Sequence, residues 1–288
     1  MKYSKGLLYV LLLLSIFLVV IWYYKRPHTE GFLQTERFVV KTDADIYDDF
    51  YTAIYDDLML PKKRVDTEID LILQTIQPDK TYSVLLDVGT GTGTFLHGLL
   101  QKGYRAYGID KSSAMIETAQ QKYPELEIKN HDVLDPMTYD RGLFTHIFCM
   151  DFTIYEIADK TKFFKNCYYW LQNNGYLVVH IADREKFNTI TPAAAPAVAP
   201  AERVTKTNIE FPDYVYVSEW MVGKTREVLH KENFTDKETQ HIRQNERTLY
   251  MDSKADILTA AQIAGFVSRG SMATSDSAQE IIIFERTC

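Results

Sequence analysis

The sequence predicts an α/β fold, in which a doubly wound and mostly parallel sheet carries helices on both faces. Two observations predict it. From Tyr82 onward, short apolar runs alternate with amphipathic segments, as strands and helices do around a parallel sheet. The first apolar run, residues 83–88, passes through glycines at positions 89, 91 and 93 into a helical run at about 93–102. With 288 residues, 46% of them hydrophobic, the chain can bury one large core.

The N-terminal segment predicts a transmembrane helix. Residues 6–24 carry no charge and end in three aromatic residues, and a helix of this length approaches the roughly 30 Å of a hydrocarbon core. A cleaved signal peptide is the alternative, but the apolar run exceeds a usual signal core and no small-residue cleavage site precedes Lys25. We expect an uncleaved, single-pass anchor over residues 7–24, within a flank of residues 1–28. The excess of Lys and Arg after the span favours a cytosolic C-terminal domain.

Residues 29–80 are predicted to form a helical segment that covers a site. Tyr47, Tyr51 and Tyr55 recur every four residues, so a helix would gather their rings along one side. Packing on the core and lining of a pocket explain this stripe equally well. The acidic residues interspersed with it, Asp48, Asp49, Asp56 and Asp57, indicate a solvated face rather than a metal cluster. A second amphipathic helix is expected over residues 62–77, where Pro78 ends it.

Residues 81–288 are predicted to form the main domain. After the first strand and helix, the pattern predicts, in chain order, a strand at 106–110, a helix at 111–123, strands within 127–135 and 144–152, a helix at 160–172 that Asn174 and Gly175 end, and a strand at 176–183. A capped helix at 253–266 and two strands, starting at Phe266 and Glu280, complete the domain as a C-terminal antiparallel hairpin.

An insertion at about residues 192–250 interrupts this alternation. It begins with the alanine- and proline-rich stretch 191–200, which predicts an extended and semi-stiff connection. Three segments with alternating apolar and polar residues follow, and they predict antiparallel strands. We expect them to form a β-rich flap over the site that brings Trp220 and Arg247 to a substrate, although ordinary solvated charges also explain the basic residues of this flap.

The glycine turn is the clearest binding signal. Its spacing is GxGxG, whereas the dinucleotide-binding fingerprint is GxGxxG, and Thr94 and Phe95 stand where the third fingerprint glycine is expected. Asp110, at the tip of the second strand, is suited to accept hydrogen bonds from both hydroxyls of a ribose. The turn therefore predicts a nucleoside-containing ligand at the carboxyl ends of the strands.

The linked series "LLDVGTGTGTF", "YGIDKSSAMIETA", "HDVLD" and "FTHIFCMDFTIYEI" resembles the class I S-adenosylmethionine-dependent methyltransferases. The resemblance covers about residues 40–288 and implies a Rossmann-like fold with S-adenosyl-L-methionine as cofactor. It also implies that the glycine turn holds the methionine end, that Asp110 holds the ribose and that Asp132 with Val133 meets the adenine. The complete set that it implies for the cofactor is Asp87, Gly89, Thr90, Gly91, Gly93, Asp110, Lys111, Asp132, Val133 and Met150.

Residues that could act on the acceptor follow the fourth and fifth strands. We expect Asp151 and Tyr155 to be the catalytic pair, with Glu156, His180 and Asp183 as further candidates. A buried, hydrogen-bonded core histidine is the preferred interpretation of His180, because its neighbours are apolar. Predicted substrate-binding residues are Tyr47, Tyr51, Tyr55, Trp220 and Arg247.

Composition narrows the function. A net charge of -7 and scattered basic residues make a nucleic-acid partner unlikely, and three dispersed cysteines indicate neither a disulfide framework nor a zinc site. We expect a membrane-anchored methyltransferase that acts on a small-molecule or membrane-associated acceptor. A protein or nucleic-acid methyltransferase is the first alternative, and a nucleotide-dependent oxidoreductase or an inactive binding module is the second. Neither the acceptor nor the oligomeric state can be predicted.

Overall fold

A computed structural model describes residues 34–60, 62–197 and 204–287, together with Tyr9, residues 13–15 and Phe17. The strands, numbered in chain order, are β1 (Phe38–Thr42), β2 (Val84–Val88), β3 (Arg105–Asp110), β4 (Ile128–Asn130), β5 (Phe144–Cys149), β6 (Leu171–Ala182), β7 (Lys206–Glu210), β8 (Tyr214–Val222), β9 (Glu227–Asp236), β10 (Ile242–Tyr250), β11 (Phe266–Ala273) and β12 (Gln279–Arg286). The α-helices are α1 (Asp49–Met59), α2 (Lys62–Ile76), α3 (Thr94–Gln101), α4 (Ser113–Lys122), α5 (Thr153–Glu156), α6 (Lys160–Trp170) and α7 (Lys254–Ala264).

The predicted membrane anchor, residues 7–24, lies almost entirely outside the described residues. Within the part of the chain that is described, no helix combines the length and the apolar character that a bilayer crossing requires. The anchor therefore stays a prediction.

A seven-stranded sheet confirms the predicted α/β class. Its order is β11-β12-β6-β5-β2-β3-β4, and the five strands from β6 to β4 are parallel. β12 runs antiparallel to both β6 and β11, which confirms the C-terminal hairpin. β2 lies in the middle of the sheet, and four of its five residues are buried, because helices cover both faces. The order reverses on the two sides of β2, and ligands bind at such a reversal.

A second sheet of five strands, ordered β1-β10-β9-β8-β7, contains the predicted flap. Its last four strands are antiparallel, whereas the alternating pattern predicted three antiparallel segments, and β7 is the additional strand. The fifth strand, β1, was not predicted, because residues 29–80 were expected to be helical. The run Phe38-Val39-Val40 favours a strand, and it pairs in parallel with β10. The connection before β7 also differs from the extended prediction, since Pro192–Ala197 form a 3-10 helix that proline can begin.

Helix α1 packs against the five-stranded sheet. Tyr51, Ile54 and Leu58 share a buried cluster with Tyr216 and Phe234 of that sheet. The three predicted tyrosine rings do lie side by side, with ring centroids 5.9 Å apart for Tyr47 and Tyr51 and 5.8 Å apart for Tyr51 and Tyr55, but Tyr47 precedes α1 and only the other two lie on the helix. The N-terminal helix is therefore fixed between the insertion and the main domain.

The predicted solvated acidic face of α1 is wrong for two of its residues. Asp48 accepts a hydrogen bond from the backbone amide of Tyr51 and forms an ion pair with Arg243 at 2.8 Å. Asp56 contacts the side chains of Thr92 and Lys122. These contacts join α1 to both β10 and the glycine turn, so that these two acidic side chains hold the helix in place.

Helix boundaries follow local backbone chemistry. α7 is capped at both ends, as predicted. Ser253 caps its N-terminus with a hydroxyl that accepts from the amide of Asp256, and Gly265 caps its C-terminus with φ 107°. α6 ends at Trp170, before the expected stop, and Asn174 and Gly175 lie inside β6 instead. A Cβ at Gly175 would lie 2.9 Å from the carbonyl oxygen of Thr145, so this glycine permits close contact with the neighbouring strand.

Candidate functional site

The glycine turn between β2 and α3 requires glycine at three positions. Gly89, Gly91 and Gly93 have φ values of 68°, 54° and 81°, in the left-handed region that other residues rarely adopt. A Cβ at Gly89 would lie 2.4 Å from Cγ2 of Thr153, whereas a Cβ at Gly91 would have no neighbour closer than 4.0 Å. The turn is thus closely packed on one side and open on the other, where a ligand can approach the backbone.

Asp110 joins the turn to the end of β3. One carboxylate oxygen accepts a hydrogen bond from the amide of Gly91 and the other from the amide of Ser112, both at 2.8 Å. Burial raises the pKa of this carboxyl group, and the two amide hydrogen bonds oppose that increase. The carboxylate is fixed in orientation and retains lone pairs for a ligand.

Asp87 lies beneath the turn and is 2% exposed. Its Oδ2 has no hydrogen-bond partner among the described residues, and burial raises the pKa of the carboxyl group to about 8. The backbone carbonyl of Asp87 accepts a hydrogen bond from the Thr90 hydroxyl at 2.9 Å. Asp87 therefore supports the turn from below and does not line the cavity above it.

A first cavity, of about 360 Å³ and here named the cofactor cavity, lies over the open side of the turn. Among the residues predicted for the cofactor, those that line it are Gly89, Gly91, Asp110, Lys111, Asp132 and Val133. Asp87, Thr90, Gly93 and Met150 do not line it. The physical reason is burial, since the Thr90 and Met150 side chains face the interior and Gly93 begins helix α3.

A polar network closes the cofactor cavity on the side of the five-stranded sheet. Arg247 donates to the Tyr47 hydroxyl at 2.8 Å and lies 3.3 Å from the Glu156 carboxylate, which the Tyr47 hydroxyl also contacts. Arg247 also contacts Nδ1 of His230 at 3.0 Å. Because a guanidinium can only donate, Nδ1 of His230 is the acceptor, and burial holds the pKa of this histidine well below its usual value. His230 is therefore neutral.

A second cavity, of about 590 Å³ and here named the acceptor cavity, adjoins the first. Tyr55 and Arg247 line both cavities. Trp220, His230 and Arg247 are register neighbours on β8, β9 and β10, so that the five-stranded sheet forms one wall. The Trp220 ring stacks on His230 with centroids 4.1 Å apart, and Phe152 packs beside it at 5.8 Å.

The opposite wall of the acceptor cavity carries charged side chains. Arg64 of α2 forms an ion pair with Asp151 at 2.5 Å, and its other terminal nitrogen lies 4.0 Å from Glu68. Asp151 follows β5 with a left-handed φ of 51°, which is strained for a residue with a side chain. Burial raises the pKa of Glu68 to about 7, although Arg64 opposes the increase.

Tyr155 and Tyr51, which were predicted for catalysis and substrate binding, also lie outside both cavities. The Tyr155 hydroxyl donates to the carbonyl of Ala182 at 3.0 Å and accepts from its amide at 2.7 Å. The Tyr51 hydroxyl donates to the buried Glu232 carboxylate at 2.8 Å. Both rings are buried in the core, which corrects the catalytic role expected for Tyr155 and the substrate-binding role expected for Tyr51.

The remaining candidates divide between site and core. Tyr47, Tyr55, Trp220, Arg247 and Asp151 line one or both cavities, as does Glu156. His180 is 1% exposed, and burial lowers its pKa to about 4, so it is a neutral core histidine, but neither ring nitrogen has the expected hydrogen-bond partner among the described residues. Asp183 lies outside both cavities with an exposed side chain. The residues that sequence reasoning missed are Arg64 and Glu68 on α2. The amphipathic pattern of that helix identified its buried face, but nothing in the pattern showed that a cavity lies at its edge.

Residues 85–175 match the family model described as a methyltransferase domain. A protein called an uncharacterized methyltransferase from Alkaliphilus oremlandii is 33% identical over 81 residues, which cover 28% of this chain and 34% of that protein. Another uncharacterized methyltransferase, from Oceanobacillus iheyensis, is 28% identical over 138 residues, which cover 46% of this chain and 64% of that protein. The chain therefore spans less than two thirds of the length of either curated relative.

Solved structures share the fold over most of the chain. A S-adenosylmethionine-dependent methyltransferase from Clostridium acetobutylicum superposes with a TM-score of 0.64 at 16% identity, over 83% of this chain and 98% of that one. The CcbJ methyltransferase from Streptomyces caelestis gives 0.66 at 15% identity, over 85% and 100%. The sugar N-methyltransferase KedS8 from Streptoalloteichus gives 0.63 at 18% identity, over 83% and 93%. This chain has the Rossmann-like fold of those enzymes, and its segment 85–175 matches a methyltransferase domain.

Proposed function

We propose that this protein is a S-adenosyl-L-methionine-dependent methyltransferase that acts on a small-molecule acceptor. The observation that carries the proposal is the pair of adjoining cavities, which meet at Tyr55 and Arg247. One cavity has the open glycine turn and the fixed carboxylate of Asp110, which suit a nucleoside. The other is large enough for a separate molecule. A sulfonium methyl group is already electrophilic, so alignment of the two ligands supplies much of the catalysis.

The residues present fit this cofactor. The open side of Gly91 accommodates a ligand where any side chain would intrude, and the Asp110 carboxylate is oriented before a ribose arrives. We assign the ribose to Asp110, the adenine to Asp132 with Val133, and the methionine end to the glycine turn. Tyr47 and Glu156 line the same cavity, and we add them to the set.

The acceptor cavity supports a small molecule rather than a polymer. Its volume is about 590 Å³, and it is lined by side chains of α1, α2 and the five-stranded sheet and by the segments that follow β5 and β6. One structural neighbour is a sugar N-methyltransferase. We assign substrate contact to Tyr55, Trp220, Arg247 and Asp151, all of which line this cavity.

We also propose that residues 7–24 anchor the enzyme to a membrane with its main domain in the cytosol. The uncharged run of residues 6–24 supports this assignment. Extraction of membranes with alkaline carbonate should leave the full-length protein in the pellet. Release into the supernatant would contradict the anchor and leave the enzymatic proposal intact.

Equilibrium binding of S-adenosylhomocysteine to the full-length protein tests the enzymatic proposal. We expect micromolar binding, and Asp110→Ala should weaken it at least tenfold because the ribose hydroxyls lose their acceptor. Asp140→Ala removes an exposed carboxylate outside the cofactor cavity and serves as the matched control. Absence of binding, or a preference for a nicotinamide dinucleotide, would overturn the proposal.

A further inference from the structure

Glu68 differs from the other charged residues at the acceptor cavity. It is 9% exposed and lines the cavity, and it accepts no hydrogen bond from any of the described residues. Its nearest cation is Arg64, at 4.0 Å, and Arg64 already binds Asp151 at 2.5 Å. Two carboxyl groups thus share one guanidinium, and the cluster has a surplus negative charge when Glu68 is ionised, as it mostly is above pH 7.

The other charges that line this cavity are paired with their own neighbours, although Nε of Arg64 and Nε of Arg247 have no hydrogen-bond partner among the described residues. Asp276 accepts hydrogen bonds from the amides of Asn188 and Ala278 and from the side chain of Gln279. Arg247 is bound to Tyr47, Glu156 and His230. The side chain of Lys186 is 76% exposed and pairs with Asp183 at 3.2 Å. Glu68 is therefore the charged group of this cavity, within the described residues, that most needs a ligand of opposite charge.

Aromatic rings surround the same space. Tyr55, Phe152 and Trp220 line the cavity together with Glu68. The face of an aromatic ring attracts cations, and a partly buried site strengthens that attraction. A surplus carboxylate beside aromatic rings is the combination that binds an organic ammonium group rather than an anion or a neutral hydroxyl.

We propose that the acceptor carries a protonated amino group, which the carboxylate of Glu68 binds at the wall of the acceptor cavity. Arg64 is a positioning residue in this arrangement, because it holds Asp151 and lies beside Glu68. The proposal rests on the proposed function and specifies its acceptor as an amine. In this arrangement the ammonium group of the acceptor compensates the buried charge of Glu68, which the ion pair of Arg64 and Asp151 leaves without a full partner.

Matched probes test this inference on the full-length protein saturated with S-adenosylhomocysteine. The probes are glucosamine against glucose and benzylamine against benzyl alcohol, titrated by saturation-transfer difference NMR at pH 7.5. We expect each amine to bind at least tenfold more tightly than its neutral partner. Glu68→Gln should abolish that preference, whereas Glu185→Gln, which removes an exposed carboxylate outside this cavity, should retain it.

The melting temperature and the S-adenosylhomocysteine affinity of Glu68→Gln show whether the variant is folded. A folded variant that keeps the amine preference would overturn the inference, as would equal binding of amines and alcohols or binding of neither amine. Each of these results leaves the proposed function in place as long as S-adenosylhomocysteine binds. Failure of the unmodified protein to bind S-adenosylhomocysteine would instead contradict the proposed function itself.

Discussion

The cofactor cavity and the acceptor cavity share two residues but are built in different ways. One wall of the first is backbone, because the positive φ angles of Gly89 and Gly91 expose main-chain atoms at the turn. Side chains from α1, α2, β8, β9 and β10 and from the segment after β5 form much of the second. A backbone-built site tolerates no added atoms at the turn, whereas a side-chain-built site can change its lining without a change of fold. This difference predicts where substitutions will have large effects.

The largest expected effect is at Gly89. Gly89→Ala places a Cβ 2.4 Å from Cγ2 of Thr153 and also strains a φ of 68°. We expect at least a hundredfold loss of S-adenosylhomocysteine affinity, measured by calorimetry, because the turn must move to accommodate the methyl group. Gly223→Ala is the matched control, since its Cβ would meet nothing within 4 Å, and it should bind normally. Normal binding by Gly89→Ala would show that the turn is not the binding element.

Arg247 tests the point at which the two cavities meet. Arg247→Met leaves the partly buried Glu156 without its guanidinium and should cost about 2 kcal/mol of unfolding free energy, because Glu156 and the Tyr47 hydroxyl lose a charged hydrogen-bond partner. We also expect roughly tenfold weaker binding of S-adenosylhomocysteine, because Arg247 belongs to the polar network that closes the cofactor cavity. The control is Arg226→Met, whose side chain is 48% exposed in its pair with Asp252 and which should cost less than about 1 kcal/mol. If the two substitutions lowered the free energy of unfolding in urea equally, Arg247 would not be part of a wall that the two cavities share.

The sequence could predict the backbone turn of the site, but not the contacts between side chains that lie far apart in the chain. Gly89, Gly91 and Asp110 were predictable because a tight turn and the end of the next strand leave a local pattern in the chain. The network of Arg247 was not, since it joins Tyr47 and Glu156 across sequence separations of 200 and 91 residues. Tyr155 was assigned to the site, although α5 directs Thr153 and Glu156 to the cofactor cavity and Tyr155 to the core. Successive side chains of a helix point about 100° apart, so the single turn of α5 directs some side chains to the cofactor cavity and others to the core.

Asp87 gives a pH-dependent test of the support beneath the turn. Its pKa is about 8 in the folded protein and about 3.9 in an unfolded chain, so the folded state binds more protons between these values. Stability should therefore fall as the pH rises from 5 to 8. Asp87→Asn removes this titration, and relative to the unmodified protein it should gain on the order of 1–2 kcal/mol between pH 6.5 and pH 8. If the free energy of unfolding in urea changed with pH in the same way for Asp87→Asn and for the unmodified protein, Asp87 would be ionised in the folded state.

The smallest expected effect is at Tyr155, and it separates core from site. Tyr155→Phe removes one hydrogen bond that the hydroxyl donates to Ala182 and one that it accepts from it. We expect a loss of about 1–2 kcal/mol in urea unfolding, because the buried carbonyl and amide lose a partner. S-adenosylhomocysteine affinity should stay within twofold, since the ring lines neither cavity. A large loss of affinity with unchanged stability would restore Tyr155 to the site and would show that α5 rotates when the cofactor binds.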